Sequence, residues 1–243
     1  MASIDPDLLL RAYAIGVFPM SDSRDAPDVY WVEPRRRAIL PPDRFHLSRS
    51  LRKTLRSGRF TVTRDRAFAE VIRRCAGRGE TWINKGIEDG YRELHARGSA
   101  HSIETWENGE LVGGLYGVRL AGAFFGESMF STATDASKVA LAWLVARLKV
   151  GGFRLLDCQF MTDHLKSLGA IEISQKRYLE LLAAELDAAA ARLSRPGDAL
   201  GRAGPESPPD FGALELALAS AGVSPDEPGP AGWVISQLLV STS

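Results

Sequence analysis

The sequence predicts a mixed α/β fold, and three observations carry that prediction. The segment from Ala100 to Glu127 alternates as an antiparallel meander, with Asn108-Gly109 as its tightest turn; both residues of that pair accept positive φ, as a two-residue hairpin needs. A helix with a broad apolar face follows, starting at Asp135 or Ser137 and running to Lys149. Gly151-Gly152 ends it, and the next strand, to Gln159, must return through that helical crossover and lie parallel to an earlier one.

The remaining elements follow in order. Asp5-Pro6 before Asp7-Leu8-Leu9-Leu10 is a helix start, with an N-cap acid and proline at the first helical position. Gly16 closes that helix, and Phe18-Pro19-Met20 leaves extended. Val29 to Val32 and Ala38 to Leu40 read as short strands. Ser48 or Ser50 starts a basic helix that Gly58 ends, and Phe60 to Thr63 alternates as a strand. Phe68 to Cys75 and Ile87 to Arg97 read as helices, with the loop Thr81-Trp82-Ile83-Asn84 between them. After Gln159, Thr162-Asp163-His164 opens a short helix, Ile171 to Ile173 is a last strand, and a helix runs from about Gln175 to Leu193. Pro196-Gly197, Gly204-Pro205, Pro208-Pro209 and Pro228-Gly229-Pro230 then punctuate a weakly patterned tail, read as disordered apart from a short helix over Phe211 to Ala221. The expected organisation is a small N-terminal α/β domain (1–60), a larger catalytic domain (61–194) and the tail (195–243).

A chain of 243 residues, 45% hydrophobic and 25% charged, can bury a core and belongs with soluble globular proteins. No apolar run is long enough to span a bilayer, and Asp5 and Asp7 stand where a secretory leader would be basic, so a cytoplasmic protein with no membrane partner is expected. Cys75 and Cys158 form no disulfide framework, and neither they nor His46, His95, His101 and His164 have metal spacing, so no metal is expected. The net charge of zero hides an asymmetry. Residues 35–78 hold fourteen Lys and Arg against three acids, whereas residues 180–243 hold nine acids against three arginines. The basic helix reads either as a phosphate-binding surface, favoured because Arg49, Arg52, Lys53 and Arg56 recur at helical spacing, or as a solvated face offset by the acidic half.

The chemistry centres on two strand ends. Glu127 follows Ala123-Phe124-Phe125 and Asp157 follows Phe153 to Leu156, with Gln159 two residues on. A carboxylate at the end of an apolar strand must be paired, hydrogen-bonded or protonated. Both acids therefore read either as a polar site in an apolar wall or as structural acids bonded to backbone. Gly126 to Phe130 lacks the second glycine of a serine nucleophile elbow, and there is no Walker loop or dinucleotide fingerprint. Gly113-Gly114 and Gly117 inside a strand mark a bulge or a close approach. Meander, helix, parallel strand, helix, strand is the order of an acetyltransferase-like (GNAT-like) α/β fold. A CoA enzyme of that class needs a glycine-rich loop at the central helix; Ser131 to Lys138 has no glycine and carries Asp135, which argues against CoA and leaves no cofactor expected.

At this point a resemblance becomes specific. The chain resembles the bacterial leucyl/phenylalanyl-tRNA–protein transferases. The matching residues are Tyr13 through Met20, Trp31 with Pro34 and Arg37, Phe45 through Arg52, Thr81-Trp82-Ile83, Ala100 through Glu104, Leu111 through Val118, Phe125 through Ser131, Ala136-Ser137-Lys138, Asp157-Cys158-Gln159 and Ser167 through Ala170. They span roughly residues 5 to 180, and the tail beyond Arg195 lies outside the pattern.

The resemblance implies transfer of Leu, Phe or sometimes Met from aminoacyl-tRNA to the α-amine of proteins beginning with Arg or Lys, which marks them for degradation by the N-end rule. It implies an acetyltransferase-like C-terminal domain behind a smaller N-terminal one. An aminoacyl ester is already activated, so aminolysis needs a neutral amine in line and support for the developing oxyanion. Asp157 is expected to orient or deprotonate the amine, directly or through Gln159, and Gln159 to hold the tetrahedral intermediate. Glu127 is expected to pair with the acceptor's cationic end. Leu115, Phe124, Met129 and Ser131 are expected around the transferred side chain. Tyr13, Trp82 and Tyr91 are expected around the terminal adenosine, with Met20 where some relatives carry Trp. Arg49, Arg52, Lys53 and Arg56 are expected along the acceptor-stem phosphates. The alternatives are an acyl-CoA-dependent N-acyltransferase of the same fold and a tRNA-binding module without catalysis.

Overall fold

The computed structural model describes residues 3–193 and 207–240. Helix α1 (Pro6–Ala14) is capped by Asp5, whose carboxylate accepts from the Asp7 amide at 2.8 Å. Gly16, at φ +83°, turns the chain into β1 (Phe18–Met20), which pairs antiparallel with β2 (Tyr30–Val32) as a separate two-stranded ribbon. The next strand, β3 (Arg36–Ile39), joins the main sheet instead. Helix α2 (Arg49–Arg56) starts at Ser48, whose hydroxyl accepts from the Leu51 amide. Strand β4 (Thr61–Arg64) leads to α3 (Phe68–Ala76) and α4 (Lys85–Ala96), the latter capped by Asn84 through the Ile87 amide.

The meander is β5 (Ala100–Glu107), β6 (Glu110–Leu120) and β7 (Ala123–Ser131). Asn108 and Gly109 both take positive φ at the first turn, as their sequence predicts. Helix α5 (Ala136–Val150) crosses over to β8 (Leu155–Gln159), which runs parallel to β7 with Phe125 beside Asp157. Then come α6 (Asp163–Ser167), β9 (Ile171–Ser174), α7 (Gln175–Leu193), α8 (Ala213–Ser220) and α9 (Pro228–Leu238). The seven-stranded mixed sheet has the order β4-β5-β6-β7-β8-β3-β9.

The strand glycines resolve into two uses. At Gly117 the register against β7 shifts, and a Cβ there would stand 2.3 Å from the Phe125 carbonyl oxygen. At Gly113 it would stand 2.6 Å from the Ala136 Cβ, so this glycine lets α5 lie close on the sheet. Helix α5 is apolar all round because it is covered all round, by the sheet beneath and by α2, α8 and α9 above. The opposite face is closed by α1, α3, α4 and α7.

Two expectations need correction. Strand β3 belongs to the sheet of the larger unit: it sits between β8 and β9, and the Leu40 amide continues the bonding onto the Leu156 carbonyl. The tail, expected to be disordered from 195 to 243 apart from a short helix over Phe211 to Ala221, forms that helix as α8 and a second, α9, both packed within 207–240. Phe211, Leu214, Leu218, Ala231 and Ile235 are buried in the same cluster as α5. Those apolar residues are too sparse among the prolines and glycines to make a clear period, but they meet one continuous apolar face. Fully burying each of the Phe, Leu and Ile side chains is worth about 1.5–3 kcal/mol. Pro196-Gly197 and Gly204-Pro205 lie outside the described residues.

Candidate active site

Strands β7 and β8 pair from Ala123 to Phe125, and just beyond that pairing Glu127 and Gln159 come together; Glu127, expected at a strand end, lies in the middle of β7. The Gln159 side-chain nitrogen donates to Glu127 Oε2 at 3.0 Å. Tyr13, from α1, donates to Oε1 at 2.7 Å, and Tyr91, from α4, donates to Oε2 at 2.8 Å. The two tyrosine hydroxyls are 2.6 Å apart. Three O···O contacts thus close a ring: with Glu127 ionised the two tyrosine protons fill its two contacts, and with Glu127 protonated one tyrosine accepts the carboxyl proton and donates to the other tyrosine, so that all three are filled. Burial points the same way: it pushes the Glu127 carboxyl up to about 7, against the lowering effect of its three donors. Tyr13 and Tyr91 are raised well above the ordinary tyrosine value, first by burial and next by the charge on Glu127.

Asp157 is held differently. It has no exposed surface. Arg37 grips both its oxygens, with Nη2 2.6 Å from Oδ2 and Nε 2.9 Å from Oδ1. The Tyr178 hydroxyl donates to Oδ2 at 2.9 Å, and the Gln159 amide donates to Oδ1 at 2.8 Å. The Arg37 guanidinium lies between the rings of Phe18 and Tyr178, 4.6 and 4.5 Å from their centroids. Gln159 sits at φ +62°, a left-handed conformation costly for a residue with a Cβ. The bond from its amide to Asp157 holds it there and aims the side chain at Glu127.

Glu127 opens onto a cavity of about 260 Å³ whose apolar walls include Leu115, Met129, Leu141, Leu144 and Leu156, with Trp82 and Arg78 also lining it. Small-molecule sites are typically about 300–1,000 Å³, so this one suits a single amino-acid side chain. Cys158 and His164 also line it; burial raises the Cys158 thiol and lowers His164, the latter with help from Lys138. A wider cavity of about 600 Å³, shared at Arg78 and Met129, is lined by Arg73, Arg74 and Ser131. Arg49, Arg52, Lys53 and Arg56 line a groove of about 520 Å³ along α2.

Several predicted residues stand elsewhere than expected. Asp157 does not reach the cavity, because Arg37 and Tyr178 enclose it. Tyr13 and Tyr91 have no exposed ring face for a base, since both rings are packed in the core with their hydroxyls on Glu127. Phe124 is fully buried and stacked on Phe211, 5.3 Å between centroids, away from the cavity. Ser131 faces the arginine-lined cavity, where its hydroxyl accepts from the Ser137 amide at the start of α5. Leu115, Met129 and Trp82 are brought to the same cavity as Glu127. Sequence reasoning assigned no role to Tyr178 or Arg78, which carry no local signal, and it noted Arg37 only as a matching residue.

The start of α5 offers an anion little. Asp135 occupies the N-cap at φ +68° and pairs with Lys138. Among the described residues, no group of three or more His, Cys, Asp and Glu could hold a metal ion, and no helix is long and apolar enough to cross a membrane.

Comparison with known proteins gives the family. A family model described as leucyl/phenylalanyl-tRNA protein transferase matches residues 39–183, and one for that family's N-terminal domain matches residues 2–35. The leucyl/phenylalanyl-tRNA–protein transferase of Rhizorhabdus wittichii is 61% identical over 100% of both chains. That of Novosphingobium aromaticivorans is 54% identical over 99% of this chain and 97% of its own. That of Zymomonas mobilis is 65% identical over 74% of this chain and 68% of its own. Among solved structures, a chain described as L-PGS from Bacillus licheniformis aligns at 14% identity and a TM-score of 0.38, covering 68% of this chain and 56% of that one.

Proposed function

The chain belongs to the leucyl/phenylalanyl-tRNA–protein transferase family, and from that premise we propose that it moves Leu, Phe and in some cases Met from tRNA to the α-amine of proteins beginning with Arg or Lys. It is an aminoacyltransferase that uses aminoacyl-tRNA and a protein acceptor. The donor and acceptor preferences, the marking of acceptors for N-end-rule degradation and a cytoplasmic setting are the parts proposed.

The observation that carries the reading is the Glu127–Gln159 pair beside an apolar cavity sized for one side chain. The unbranched, polarizable Met129 adapts that wall to Leu, Phe and Met. In the proposed step the neutral α-amine attacks the ester carbonyl, and the tetrahedral intermediate collapses. The C–O bond to the terminal ribose breaks, a C–N bond remains, and the amine's proton ends on the ribose hydroxyl. An α-amine titrates at about 7.7–8.0, so a neutral fraction exists near pH 7 without a strong base. Gln159 orients the amine and the intermediate through its amide group. Asp157 acts through Gln159: clamped by Arg37, it holds the left-handed turn that presents the amide. Glu127, when ionised, receives the cationic end of the acceptor. Trp82, at the cavity rim, stacks on the terminal adenine.

The test is the purified chain given a peptide beginning with Arg and either labelled leucyl-tRNA or the corresponding acyl-CoA. Labelled product from the tRNA alone is expected. Product from the CoA thioester would replace this reading with that of an N-acyltransferase, and binding of tRNA without product would replace it with that of a binding module.

A further inference from the structure

We infer that α9 is part of the RNA-binding surface: with α2 it forms one composite face on which Trp233 is the apolar contact for the RNA strand. The inference rests on the reading of α2 as the phosphate-binding helix and extends it to a segment beyond the matched residues 39–183.

The two helices touch backbone to backbone. A Cβ at Gly232 would stand 1.8 Å from the Leu55 carbonyl oxygen, and Gly58 and Gly229 face each other at the helix ends. Such close approach is possible only because these positions lack side chains, and it fixes α9 along α2. The contact reaches the charges. Arg56 Nε donates to the Ser236 hydroxyl at 2.8 Å, and its guanidinium lies 5.4 Å from the Trp233 ring centroid. Arg56 is thereby tied to α9, and Trp233 keeps 52% of its surface exposed.

Charge identifies the partner. Among the described residues, none of Arg49, Arg52, Lys53 and Arg56 meets a carboxylate within ion-pair distance. Arg52 Nε is buried without a hydrogen-bond partner, so donor capacity is left over. The C-terminal part of the chain is acidic, but α9 itself carries no Asp or Glu. It adds aromatic area beside the four cations without offsetting them. An acidic protein would be met by the same charges, but an exposed indole against an arginine fits a ribose or an unstacked base next to its phosphate.

The experiment measures binding of full-length tRNA at two salt concentrations, together with transfer from full-length tRNA and from a short 3′-aminoacyl fragment. The full chain carries Trp233→Ala, Trp233→Phe or Trp233→Glu, alongside the double variant Arg52→Glu/Lys53→Glu. Stacking on one base is worth about 1–3 kcal/mol, so Trp233→Ala should weaken tRNA binding about fivefold or more. Trp233→Phe should stay within about twofold of the parent, because it keeps a π face, and Trp233→Glu should fall below the alanine variant at low salt most of all. Transfer from the short fragment should be unchanged in the three Trp233 variants. If the charge-reversal variant loses binding and the Trp233 variants do not, α9 lies outside the interface and the inference fails while the α2 reading stands. If the charge-reversal variant binds normally, the α2 reading fails and takes the inference with it.

Discussion

The side-chain amide of Gln159 donates to Glu127 across the parallel strand pair β7 and β8, at 3.0 Å. The contact joins two networks with different work. On one side, Asp157 and Arg37 are sealed from solvent and hold geometry. On the other, Glu127 faces the cavity with its two tyrosines behind it, and it can change protonation.

Glu127→Gln should remove a titration. Burial lifts the folded-state value to about 7 from an ordinary value near 4.5. The folded chain therefore binds more protons than the unfolded chain between those values, and this group's contribution to stability falls as pH rises through that window. The difference is on the order of 3 kcal/mol. Melting temperatures from pH 5 to 8 should decline more steeply for the parent than for Glu127→Gln; parallel profiles would place the titration elsewhere.

The same substitution should weaken the acceptor step. Charged hydrogen bonds contribute about 1.5–3 kcal/mol, so kcat/KM for a peptide beginning with Arg should drop about tenfold or more, chiefly through KM. The parent's acceptor KM should fall as pH rises through about 7, and the variant's should not. Unchanged Arg and Lys peptide kinetics in Glu127→Gln would remove the pairing role.

Arg37→Ala should unfold the site. It leaves the Asp157 carboxylate buried without its counter-charge, a loss of about 3–5 kcal/mol. For a chain of this length that is a melting-temperature drop of roughly 10 °C or more. Arg37→Met with Asp157→Leu should recover part of that stability and none of the activity, because Gln159 loses the acceptor for its amide. Recovered activity would show that the left-handed turn at Gln159 needs no such support.

Deleting residues 207–243 should expose the outer face of α5. Phe211, Leu214, Leu218 and Ile235 are nearly or fully buried there. The shortened chain should melt at a lower temperature and bind a hydrophobic dye. An unchanged melting curve would mean that the tail contributes no core.

Much of the fold was legible in local pattern. Asn108-Gly109, Gly151-Gly152, Asp5-Pro6 and Ser48 each specify a turn or cap through their own backbone chemistry, and the crossover set β8 parallel to β7. The two acids were legible for the same reason, since an apolar run followed by a carboxylate is readable from neighbours in sequence, although both lie within their strands and not at the ends. Their partners were not. Arg37 reaches Asp157 across 120 residues and Tyr13 reaches Glu127 across 114, so no local period connects them. Tyr13 and Tyr91 looked like stacking rings because a sequence shows a ring and hides its burial. The tail was read as disorder because its apolar residues answer to α5 and not to a period of their own.

The reading is tested most directly by transfer of labelled Leu or Phe from tRNA to two peptides that differ only in beginning with Arg or Ala. The Arg peptide should be labelled at its α-amine and the Ala peptide left unlabelled, with Gln159→Ala cutting the first sharply. Equal labelling of both peptides, or none of either by a folded chain that binds tRNA, would contradict it.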